Sequence, residues 1–229
     1  MCSTRHIKGH LIVALLLTVA PCLSQENLTG YWQPSIAVNY QIASGYSHNF
    51  SIQNRNYIYN DESSQLEIRQ LDVTHFSNYK LQDNQSIALG MLYRLRDTFD
   101  GGNNEVRLTQ QYNIQSKPYV VRYGHRFRTE QRITSIKTTH RFRYRFSIDF
   151  PLQGEKLDVG EPYLVTNLES LLSVAKTQRP QYDTRVTVNF GWKLSEKIKV
   201  QIGSEYRSED LSQNLEHVVF LLSTLNISL

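Results

Sequence analysis

Seven arginines at even spacing are the side chains best placed to do chemistry. Arg122, Arg126, Arg128 and Arg132, then Arg141, Arg143 and Arg145, recur two or four residues apart, with Glu130 and Asp149 in the same phase. In an extended chain residues two apart share a face, so this spacing stacks guanidiniums side by side. Such a face either grips carboxylate or phosphate oxygens through the planar guanidinium fork, or it is neutralised by carboxylates of its own chain. Glu130, Asp149, Glu169 and Glu205 are the candidate partners, and Arg185 and Arg207 carry the same phase into later segments.

Other chemistry finds less support in the spacing. His48, His75, His125, His140 and His217 remain once an N-terminal leader is set aside, and none lies in an HExxH pattern; no serine stands in a GxSxG elbow. His125 and His140 fall in phase with apolar residues, the place of a rim residue more than of a base. The expectation is a non-enzymatic chain with no catalytic, cofactor-binding or metal-ligating residues and no cofactor.

The elements that position the arginines are strands. From Tyr119 to Ile133, Tyr119, Val121, Tyr123, Phe127 and Ile133 alternate with the arginines; after a turn at Thr134 to Lys137, Phe142, Tyr144, Phe146, Ile148 and Phe150 do the same. Strands of about a dozen residues exceed the usual five or six and suit a tilted crossing of hydrocarbon, which takes about 9 to 11. The apolar face would meet lipid and the arginines the lumen. A soluble lipocalin-like barrel is the alternative.

The same alternation runs through the chain. Ile36, Val38, Tyr40 and Ile42 share a face; so do Ile87, Leu89, Met91, Tyr93 and Leu95 in a strand from Gln85 to Phe99, and Val186, Val188, Phe190 and Trp192 further on. Polar loops are expected at Asn60 to Ser64, Asp100 to Asn104 and Ala175 to Gln181, and tight turns at Ala43 to Gly45, Gln82 to Asn84, Lys117-Pro118 and Ser195 to Lys197. Eleven strands can be counted. Single-chain bacterial barrels are even, so the expectation is an all-β, up-and-down antiparallel transmembrane barrel of about twelve strands, with Glu26 to Gln33 as the missing one, or ten if two segments merge. Among 14 Tyr, 9 Phe and 2 Trp, Tyr57, Tyr59, Phe99, Tyr119, Tyr163, Trp192 and Tyr206 sit near strand ends, as interfacial girdles would.

Residues 1–24 read as a secretory signal: Arg5 and Lys8 precede the apolar run Leu11 to Ala20, which Pro21 breaks. Cys22 invites acylation, but Pro21 stands where that processing needs a small residue. The single domain is then 25–229. Without Arg5 and Lys8, 23 basic residues face 21 acidic ones, a charge of +2. That balance argues against nucleic acid as a partner. A mean hydropathy of −0.45 does not exclude a barrel, half of whose strand residues are polar.

Taken together, RFRTEQRI, RFRYRF, Asn167-Leu168-Glu169, the run Gly191-Trp192-Lys193-Leu194-Ser195 and His217-Val218-Val219 resemble the family catalogued as domain of unknown function 2490. The resemblance covers nearly the whole chain after the leader. It implies an exported outer-membrane barrel of Gram-negative bacteria and no particular activity. The expected partners are outer-membrane lipid and the barrel-assembly machinery during biogenesis. For the lumen, the leading expectation is a salt-bridged lining; the alternatives are a small anion-preferring pore or ligand-binding barrel, and a lipid-modifying enzyme.

Overall fold

The computed structural model describes residues 28–60, 63–176 and 178–229; the expected leader, with Cys2 and Cys22, lies outside the described residues. Among the described residues eleven strands follow one another: β1 Leu28–Ala43, β2 Tyr46–Asn60, β3 Ser63–Gln82, β4 Gln85–Leu95, β5 Glu105–Ser116, β6 Arg122–Ile133, β7 Thr138–Pro151, β8 Pro162–Ala175, β9 Gln178–Lys193, β10 Ile198–Glu209 and β11 Glu216–Ser228. Each pairs antiparallel with its sequence neighbours. β1 then pairs with β11 and closes the barrel.

That seam is parallel, with Tyr31 beside Phe220, Ile36 beside Leu225 and Val38 beside Ile227. An odd number of strands forces this, because the first and last then run the same way. Among the described residues the expected twelfth strand is not present, and Glu26, where it was expected to begin, lies outside them. Leu28 to Gln33 instead extends β1, whose ladder to β2 shifts register between Gly30 and Tyr31. Pro34 lies within β1, opposite Ser223.

Strand ends differ from the sequence reading in instructive ways. Arg122 starts β6, so Tyr119 to Val121 belong to the preceding turn, where Tyr119 is 87% exposed. β4 stops at Leu95, and a single helical turn, α1, spans Asp97–Asp100 before Gly101 reverses the chain at φ 61°. Residues expected in the loops after Asn60 and Ala175 join strands: β3 starts at Ser63 and β9 at Gln178. Polar composition had suggested loops there. In a barrel, however, strand extensions past the apolar band are themselves polar.

The pleat sorts the side chains. Arg128, Glu130 and Arg132 lie on the inner face of β6, and Phe127 and Ile133 on the outer, exposed one. Two of the aromatics assigned to girdles turn inward. Tyr57 packs on the Tyr31 ring, and Tyr163 is buried over Gly191, where a Cβ would overlap its ring. No helix among the described residues is long and apolar enough to cross a membrane, which says nothing of strands.

Candidate functional site: the arginine-rich lumen

Register decides which charges meet. Across β6 and β7, Arg126 faces Arg145, Arg128 faces Arg143, Glu130 faces Arg141 and Arg122 faces Asp149. Arg107 on β5 faces Arg132, and Arg185 on β9 faces Arg207 on β10. Like charges directly opposed destabilise a sheet unless a carboxylate lies on the diagonal or on the next strand. The barrel supplies those carboxylates.

They link into one ladder. Glu105 holds Arg132 at 2.7 Å and Arg107 at 2.5 Å. Arg107 lies 3.7 Å from Glu130, whose other oxygen accepts from Arg143 at 2.7 Å. Arg143 spans to Glu169 at 2.7 Å, and Glu169 also takes Arg145 at 3.2 Å and Arg185 at 3.8 Å. Arg185 reaches Glu209 at 3.9 Å, which Arg207 shares at 3.5 Å before donating to Glu205 at 2.5 Å. Glu205 is steadied in turn by the Thr187 hydroxyl at 2.9 Å. The ladder thus crosses β5 to β10. Glu130 is 1% exposed and Glu169 4%, so these charges have left bulk water.

Two shorter pairings flank it. Arg94 grips Asp72 with both prongs, at 2.8 and 2.7 Å, while Gln70 donates to the same carboxylate. Arg141 lies 3.7 Å from the buried Asp183 and donates to Ser173 at 2.8 Å. Arg128 relies chiefly on Gln111, with Glu130 3.5 Å away, and Arg126 donates to Asn113 at 3.0 Å with no ion pair among the described residues. Arg122 and Asp149 meet at 2.9 Å near the end of the lumen away from the β6–β7 turn, more exposed than the rest.

Every arginine and carboxylate singled out from the sequence therefore lies on the inner wall, and register fixes the pairing that strand phase left open. Arg143, rather than Arg128, is the close partner of Glu130. Sequence reading left Asp72, Arg94, Glu105, Arg107, Asp183 and Glu209 out of the network, although each stands in the inward phase of its strand. It also left out an apolar seam: Tyr31, Val218 and Phe220 form a buried cluster, with Arg207 3.8 Å and Arg55 4.9 Å from the centre of the Phe220 ring. The run Val218-Val219-Phe220-Leu221-Leu222 signalled it, being apolar on both faces.

The outer face holds a different polar group. His48 Nδ1 lies 2.8 Å from His75 Nε2 and 3.2 Å from the Ser77 hydroxyl, which is 3.3 Å from that of Tyr46. Phe50 stacks on His75 at 4.6 Å. Both close contacts of His48 fall on one nitrogen. A base acting on a serine would instead keep one nitrogen for the hydroxyl and the other for an orienting acceptor.

Residues 29–217 match the family described as Protein of unknown function (DUF2490), and the chain belongs to it. No curated protein matches.

Proposed function

We propose that this DUF2490 chain is a transmembrane barrel of the bacterial outer membrane, exported by residues 1–24 and seated with the help of the barrel-assembly machinery. Its lumen is lined and braced by its own ion pairs, and it has no enzymatic step. The observation that carries the reading is the outer surface. Ile36, Ile52, Val73, Leu89, Leu108, Phe127, Phe142, Leu168, Val186, Ile202 and Leu221, one from each strand, are all exposed, Leu89 to 66%. Monomeric soluble proteins rarely expose apolar patches beyond a few hundred Å², and here the belt runs round the barrel. Lipid gives such a belt a partner that water does not.

A ladder running round the inner wall narrows the lumen, and barrels of this size are largely filled by side chains, which leaves little room for bulk flow. In a Gram-negative host, the full chain should partition with detergent-extracted outer membrane, show heat-modifiable mobility on a gel, and conduct little in planar bilayers. Release with the soluble periplasm would reject the membrane reading. Stable, open, anion-selective channels would reject the braced lumen.

A further inference from the structure

Guanidiniums outnumber carboxylates around one inner cavity. It measures about 430 Å³ and is lined by eleven arginines against three acids, Asp72, Glu205 and Glu209. Glu105, Glu130, Glu169, Asp183 and Asp100, the last 3.7 Å from Arg69, approach its wall through their ion pairs, and arginines remain in excess. Arg55 has no ion pair among the described residues; it donates only to Gln33, at 3.1 Å, and rests on the Tyr31 and Phe220 rings. The two ion pairs of Arg185, at 3.8 and 3.9 Å, are too long for hydrogen bonds.

Unsatisfied donors gather at the same place. The Nε groups of Arg69, Arg96, Arg143 and Arg185 are buried without a hydrogen-bond partner, and all four arginines line this cavity. Buried donors are rarely left so, because each forfeits its hydration. A mouth of about 990 Å³ leads inward beside the turns after β6, β8 and β10; Arg96, Arg132 and Arg141 belong to both spaces, and Lys137 and Arg179 add charge at the rim.

We propose that this cavity binds a multiply charged phosphate-type oxyanion that enters through that basic mouth. Such an anion supplies charge to the uncompensated guanidiniums. Several forks set on different strands suit oxygens pointing in several directions, which chloride lacks. The site deepens the braced-lumen reading, since the anion becomes one of the braces. It does not depend on the membrane.

The test uses the purified full chain in detergent, first scored for heat-modifiable mobility. Sodium pyrophosphate is titrated by calorimetry at constant ionic strength, with sodium chloride as control. Saturable binding is expected, together with a Tm that rises with pyrophosphate and not with chloride. Arg55→Gln removes a cation without orphaning a carboxylate, so it should keep the heat-modifiable form and bind pyrophosphate at least tenfold more weakly. Arg122→Gln, at the opposite mouth, should bind as the parent does. Displacement of bound pyrophosphate by phosphatidic acid in mixed detergent micelles, whose phosphomonoester is multiply charged, would assign the phosphate to a lipid headgroup, and no displacement to a soluble molecule. A heat-modifiable barrel without saturable binding overturns the site, as does an Arg55→Gln protein with undiminished affinity. Recovery from the periplasm would sink the membrane reading and leave this measurement intact.

Discussion

The wall from β5 to β9 and the seam where β11 meets β1, with β10 and β2 on either side, both hold buried arginines, by different physics. On the wall, opposed pairs such as Arg128 and Arg143 are held by carboxylates set between them, Glu130 and Glu169. At the seam, Arg207 and Arg55 lie over Phe220 and Tyr31, with only Arg207 close to carboxylates. Ion pairs are directional and fail sharply when one member goes, because the survivor is left charged and dry. An aromatic face tolerates more: it attracts a cation over a broad area and packs as an apolar surface as well. The wall should therefore be brittle and the seam forgiving.

The largest effect is expected on the wall. Glu130→Gln keeps the shape but removes the charge shared by Arg143, Arg107 and Arg128, and should cost about 3–5 kcal/mol in urea unfolding followed by loss of the heat-modifiable band. Adding Arg143→Met should restore part of that loss, since the pair is removed together. A double variant as unstable as the sum of the two single ones would break the comparison, because it would show the two residues acting independently.

At the seam, Phe220→Leu should cost less, roughly 1–2 kcal/mol by the same measurement. Volume and apolar character are largely kept, and the loss is chiefly the ring beneath two guanidiniums. Phe220 is fully buried, so a cost matching that of Glu130→Gln would mean that the seam is as brittle as the wall.

Much of the wall could be read in the sequence. Alternation assigned inward and outward faces on β4, β6, β7 and β9, and with them the arginine face and the barrel. Partners were hidden because a period of two gives a face but not a register. Only the offset between β6 and β7 reveals that Glu130 faces Arg141 and that Arg143 falls opposite Arg128. Asp72 was missed in β3, whose weak alternation gave little sign that its inner face carried charge. The strand count was missed for a different reason. The even-number rule displaced the count of eleven that the residues themselves supported, and Leu28 to Gln33 adds length to β1 where the rule needed a strand. Tyr57 and Tyr163 looked like girdle residues from their nearness to strand ends, but depth along a strand does not decide which way a ring points.

The smallest effect separates a brace from a passenger within the wall itself. Arg126 stands directly opposite Arg145, donates to Asn113 and has no ion pair among the described residues. Replacing it by Gln removes a repulsion, orphans no carboxylate and keeps a donor for the amide oxygen of Asn113. Arg126→Gln should thus stay within about 0.5 kcal/mol of the parent or exceed it. Arg145, relieved of its neighbour, keeps its 3.2 Å contact with Glu169. A loss of several kcal/mol would show that wall arginines brace the barrel by something other than their carboxylates. Carboxylates would then not account for the difference between wall and seam.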